Sequence, residues 1–176
     1  MISEDATLIV VDVQEKLVPS IHEAASMILN TKKSILSAKI LGMPIMFTEQ
    51  YPKGLGHTIT EIRDELEGVP GFEKTSFSCC GSPEFMKYLK GKHVLLTGIE
   101  AHICVYQTAC ELLEHGFEVT VIEDAVSSRK KTDHQRALLN LEKKGVFIST
   151  FECLFMNLVK DAKHPSFKEI STVLKL

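Results

Sequence analysis

The chain has 176 residues, 44% of them hydrophobic, enough for one domain spanning 1–176 with a substantial core but with no apolar run long enough to cross a bilayer. A net charge of −3 and a pI near 6.2 argue against nucleic acid or an anionic membrane as the main partner. The N-terminus lacks a charged-then-apolar leader pattern, and five irregularly placed cysteines suit reduced thiols better than a disulfide framework, so a soluble cytoplasmic protein is expected.

Strand-like and helix-like segments alternate along the whole chain. Residues 7–13 (TLIVVDV) form a nearly continuous β-branched run, as expected of a central parallel strand. Ser20 and Glu23 have capping-box spacing and open a helix to about residue 41, which Gly42 and Pro44 stop. A short strand is expected at 45–48, and Thr58 with Glu61 starts a short helix ending near Gly68. Residues 71–74 lead into a further strand, and Ser82-Pro83 places proline at the first position of a helix. A strand at 93–97 runs into a helix at 102–115, stopped by Gly116. Residues 117–122 are a strand, and Thr132 with Gln135 caps a helix ending at Gly145. A last strand at 146–149 precedes helical segments at 151–159 and 167–174. This alternation predicts an α/β fold in three layers, a mostly parallel sheet with helices on both faces.

Ligands of open parallel sheets bind outside the carboxyl ends of the strands, so the residues just beyond each strand are the candidates. They are Asp12 and Gln14, then Glu49, Gln50 and Tyr51, then Lys74, then Glu100, His102 and Cys104. A carboxylate inside an apolar strand needs a partner, and a lysine from another strand end can supply it. Asp12 fits a structural carboxylate bonded to backbone N–H groups as well, and Lys74 fits a surface lysine. Cys104 falls in the first turn of a helix, where free N–H groups and the helix dipole favour a thiolate nucleophile. A buried structural cysteine suits the same turn. Cys79, Cys80, Cys110 and Cys153 lack metal or redox spacing and read as packing residues. The basic run Arg129-Lys130-Lys131 reads as a solvated turn. Neither a Gly-x-Gly-x-x-Gly nor a Walker loop follows the first strand, and no Gly-x-Ser-x-Gly elbow occurs.

Three motifs taken together, Val10-Val11-Asp12-Val13-Gln14, Phe72-Glu73-Lys74-Thr75 and Gly98-Ile99-Glu100-Ala101-His102-Ile103-Cys104-Val105, resemble the isochorismatase-like cysteine hydrolase superfamily. The similarity runs from residue 6 to about 159. The segment Glu49-Gln50-Tyr51-Pro52-Lys53-Gly54-Leu55-Gly56 is similar to the isochorismatase-domain-containing subgroup. The resemblance implies a Rossmann-like topology and a catalytic triad of Asp12, Lys74 and Cys104. It also implies a cis Ile99–Glu100 peptide that brings the Glu100 N–H beside that of Cys104 as an oxyanion hole. Gln14, Glu49, Tyr51, Phe77 and His102 are then the expected substrate-binding residues.

The nicotinamidases of this superfamily hold a metal through an Asp-x-His pair and further histidines after the second strand. Here the loop reads Glu49-Gln50-Tyr51 with His57 downstream, which implies no metal and no other cofactor. The implied function is metal-independent hydrolysis of a small amide or other C–N-bonded substrate through an acyl-enzyme, in a homo-oligomer. Two other readings of the same residues stand beside it. One is a redox-responsive thiol protein, the other a catalytically silent oligomeric scaffold.

Overall fold

The computed structural model describes residues 5–176. The first four positions of the expected 1–176 domain lie outside the described residues. Six strands are formed: β1 (Ala6–Val11), β2 (Ile45–Gln50), β3 (Gly71–Lys74), β4 (His93–Ile99), β5 (Glu118–Ser127) and β6 (Phe147–Ser149). The helices are α1 (Ala24–Ile40), α2 (Pro52–Leu55), α3 (Thr60–Arg63), α4 (Pro83–Tyr88), α5 (Cys104–Glu114), α6 (Lys131–Lys143), α7 (Phe151–Val159) and α8 (Phe167–Leu174). The strands lie in the order β3-β2-β1-β4-β5-β6, and every pairing is parallel. This order reverses direction between β1 and β4, the position where doubly wound folds place their ligand crevice.

The two faces of β1 show how one sequence serves two cores. Leu8 and Val10 join an apolar cluster with Met27 and Ile35 of α1, Phe151 and Phe155 of α7 and Val173 of α8. Ile9 and Val11 point the opposite way, to Phe85 of α4, Val105 and Leu112 of α5 and Leu141 of α6. Successive side chains of a strand alternate faces, so a continuous run such as residues 6–11 must be covered on both.

Several local expectations give way to tertiary contacts. The Ser20–Glu23 capping box does not form: Ser20 closes a 3-10 turn and Glu23 stands before α1 in a left-handed conformation with no side-chain cap. Thr58 does not open a helix either, because its hydroxyl donates to Glu49 Oε1 at 2.8 Å and the helix begins at Thr60. Thr132 lies inside α6, whose N-cap is Lys130 with no side-chain cap. The Ser82 cap does form, its hydroxyl accepting from Phe85 N ahead of Pro83.

Candidate active site

The C-terminal ends of β3, β2, β1 and β4, four consecutive strands of the sheet, meet at one rim. Asp12 follows β1 directly, fully buried, with a left-handed φ of 49°. Aspartate is among the few residues that tolerate that region. Its backbone N–H donates to Thr48 O at 3.1 Å, and the Thr48 hydroxyl donates to its Oδ1 at 2.7 Å. The other oxygen, Oδ2, accepts from Lys74 Nζ at 2.6 Å.

Lys74 reaches Asp12 from two strands away. Neighbouring strands lie about 4.8 Å apart, so a gap of roughly 10 Å across β2 is closed by the lysine stem, the hydrogen bond and the Asp12 side chain together. Gln50, in register with Lys74 on β2, supports the crossing midway. The ammonium donates to Gln50 Oε1 at 2.8 Å, and to the carbonyls of Phe77 at 3.0 Å and Ser76 at 3.3 Å. Gln50 is itself held by its Nε2 donating to Thr75 O at 2.7 Å. Burial by itself would lower the lysine pKa, but the Asp12 carboxylate and the sulfurs of Cys79 and Cys104 outweigh it and raise it. Asp12 and Lys74 thus form a buried, fully hydrogen-bonded ion pair.

Gly98 lets β4 come close to this point. Its φ is +101°, and a Cβ there would lie 2.0 Å from Val11 O, so any other residue would push β4 off β1 beside Asp12. Past β4 the Ile99–Glu100 peptide is cis, and Cys104 is the first residue of α5. The first N–H groups of a helix have no intrahelical acceptor. Among the described residues, no carbonyl or side chain accepts from the N–H of Glu100 or of Cys104.

The Cys104 thiol does not follow the expectation from its helix position. Burial, then the Asp12 carboxylate that faces it, raise its pKa, and Lys74 only partly offsets them. Both effects favour the neutral thiol. Cys79 is fully buried in the same region, pushed up to about 12 mainly by desolvation, with its sulfur 3.7 Å from the Thr48 hydroxyl.

These shifts predict a loss of stability in alkali. The folded chain keeps protons on Cys79, Cys104 and Lys74 that an unfolded chain releases near pH 9.0 and 10.5. The unfolded state then binds fewer protons, so stability is complete below about pH 9 and falls as pH rises through the folded values. The thermal midpoint is expected to drop steadily between pH 9 and pH 11. A flat profile would contradict the assigned burial of these groups.

The five expected substrate-binding residues are placed differently from one another. Gln14 is fully buried and braces the backbone: its Nε2 donates to Gln50 O at 3.0 Å and Gly56 O at 2.6 Å, and its Oε1 accepts from Gln50 N at 2.7 Å. The Glu49 carboxylate accepts from Thr58 N at 2.7 Å and meets His57 Nδ1 at 3.0 Å. Those bonds lower its pKa against the opposing effect of burial. Tyr51, 54% exposed, lines a cleft of about 510 Å³ with Lys74, Ser76 and Ser82. Phe77, 52% exposed, contributes its carbonyl to Lys74. His102 Nδ1 meets Ser128 Oγ at 2.9 Å.

Thr48 and Arg129 bond to residues of the site and were not among the sequence candidates, whereas Gln50 was a strand-end candidate given no role. Arg129, read as part of a solvated turn, bonds the Glu100 carboxylate through both its backbone N and its Nε. The metal-binding arrangement of nicotinamidases does not fit these residues. Among the described residues, no group of three or more His, Cys, Asp or Glu is arranged to hold a metal ion.

A thiol, a carboxylate and a lysine thus stand together at the switch point of a doubly wound parallel α/β sheet. Residues 6–153 match the Isochorismatase domain, and the chain belongs to the isochorismatase family. It is 42% identical to isochorismatase domain-containing protein 2 of Danio rerio, over 98% of this chain and 88% of that protein. A structure described as MAR1 ribonuclease from Caenorhabditis elegans superposes with a TM-score of 0.96 at 41% identity, covering 100% of this chain and 92% of the other. The Escherichia coli YcaC protein, described as an octameric hydrolase of unknown specificity, shares the fold with a TM-score of 0.88 at 20% identity. That alignment covers 99% of this chain and 96% of YcaC.

Proposed function

We propose that this chain is a metal-independent cysteine hydrolase that cleaves a small amide or other C–N-bonded substrate. The observation that carries the reading is the buried Asp12–Lys74 ion pair set against Cys104 at the start of α5. Asp12 accepts the Cys104 proton as the sulfur attacks the substrate carbonyl carbon. The resulting oxyanion sits on the N–H groups of Glu100 and Cys104, donors typically worth about 3 kcal/mol each. Asp12 returns the proton to the leaving amine, giving a thioester on Cys104. Asp12 then removes a proton from water, which adds to the thioester, and the carboxylic acid leaves as the thiol is restored. Lys74, with its N–H donors already engaged, acts through its charge: it holds Asp12 in place and stabilises the transient thiolate.

The neutral thiol weighs against the redox-sensor alternative, because oxidants attack exposed, low-pKa thiolates. RNA cleavage is a second reading, favoured by the description of the Caenorhabditis elegans relative. The net charge of −3 opposes it, and both Lys74 and Arg129 already hold carboxylates. Assembly as a homo-oligomer is part of the proposal, in the manner described for YcaC, and sedimentation analysis tests it. Among the described residues, no helix is long and apolar enough to cross a membrane.

The test is a panel of small primary amides, N-carbamoyl compounds and one single-stranded RNA, run on wild type and Cys104→Ser. Release of ammonia or amine by wild type, with an acyl mass increment on the Cys104 peptide, is expected. RNA cleavage that persists in Cys104→Ser, with no amide turned over, would replace this reading by the second.

A further inference from the structure

Three successive residues at the end of β5 grip three successive residues after β4. Ser127 O accepts from Ala101 N at 2.7 Å. Ser128 Oγ meets His102 Nδ1 at 2.9 Å. Arg129 donates to Glu100 Oε2 from its backbone N at 3.1 Å and from Nε at 3.0 Å. The 127–128 segment is tied in turn to the loop after β1: the Ser127 hydroxyl donates to His22 O at 2.6 Å, and His22 N donates to Ser128 O at 2.9 Å. The gripped residues include Glu100, whose N–H, like that of Cys104, has no acceptor among the described residues.

We infer that Arg129 is a positioning residue for the oxyanion hole, acting through the Glu100 carboxylate to aim the Glu100 N–H. This rests on the hydrolase reading above. The Glu100 side chain is nearly buried, so its carboxylate requires hydrogen-bond donors, and Arg129 supplies two. A carboxylate released from them would turn toward water and carry its own peptide with it. Oxyanion stabilisation depends on donors preset at the place where charge develops, so a small displacement costs rate without altering the nucleophile. Arg129 itself is half exposed and touches neither Asp12 nor Lys74 among its recorded bonds, which separates this role from activation of the thiol.

The experiment compares two reactions of Cys104 in wild type, Arg129→Ala and Arg129→Lys, with circular dichroism and thermal midpoint as folding checks. Acylation by p-nitrophenyl acetate forms a thioester, releases p-nitrophenol and passes through an oxyanion. Alkylation by iodoacetamide displaces iodide and needs no oxyanion hole. Arg129→Ala is expected to slow acylation by on the order of tenfold to a hundredfold, with alkylation within about twofold of wild type. Both variants keep the backbone N–H donor, and Arg129→Lys, which keeps the side-chain charge as well, is expected to recover part of the loss. Equal losses in both reactions, or none in either, would overturn the assignment while leaving the hydrolase reading intact. A wild-type protein that is never acylated at Cys104 would remove both.

Discussion

Replacing Cys104 by serine is expected to cut amide turnover by at least about a thousandfold while leaving the fold and its thermal midpoint within a few degrees of wild type. The substitution is nearly isosteric, and the residue packs in the core cluster through its Cβ and sulfur, so little packing is lost. The chemistry changes far more. Asp12 is a weak base for a hydroxyl of much higher pKa than a thiol, and an oxygen nucleophile needs a different angle to the two N–H donors. Steady-state ammonia release gives the rate, and intact-protein mass spectrometry shows whether an acyl adduct still forms. Retained turnover in the serine variant would transfer the reaction to some other group and end the nucleophile assignment.

Lys74→Met is expected to destabilise the protein by about 3–5 kcal/mol, the usual cost of leaving one member of a buried pair without its partner. For a chain of this length that is a fall in thermal midpoint on the order of 10 °C. Lys74 also supplies the positive charge that favours a thiolate at Cys104, so Cys104 alkylation near neutral pH should slow in parallel. Should Lys74→Met fail to fold, the double variant Asp12→Asn with Lys74→Met gives the decisive comparison. It removes both charges, so it should regain much of the stability and none of the activity. The pH dependence has a definite sign. The folded Lys74 pKa is raised, so its stabilisation is present below its ordinary value of 10.5 and disappears as pH rises through the folded value. A single variant as stable as wild type would mean that Asp12 and Lys74 do not interact as a buried ion pair.

The strand–helix alternation was legible because each signal is local. Residues 7–13 are a nearly continuous β-branched run, and Ser82-Pro83 opens its helix as local chemistry dictates. The two C-terminal helices form where expected, Phe151–Val159 and Phe167–Leu174. Capping by Ser20, Thr58 and Thr132 did not form, and for Thr58 the reason is visible. A capping side chain can be diverted by a partner far along the chain, as Thr58 is by Glu49, and periodicity carries no information about that partner. Gln14 and Glu49 show the same limit, since polar residues at strand ends can brace loops as readily as bind ligands. Arg129 is the converse: nothing in Arg129-Lys130-Lys131 marks one of three adjacent cations as the partner of a carboxylate 29 positions earlier.

By itself, the sequence determined the parallel α/β architecture and which residues stand at the ends of the strands, because both follow from spacing along the chain. Only the tertiary structure decided which of them meet. Asp12 and Lys74 are 62 positions apart and come together because β2 lies between β1 and β3, with Gln50 and Thr48 placed to support the crossing. The protonation state of Cys104 was likewise decided in three dimensions. Its place at a helix start favours a thiolate, but burial, and after it the nearby Asp12 carboxylate, favour the thiol.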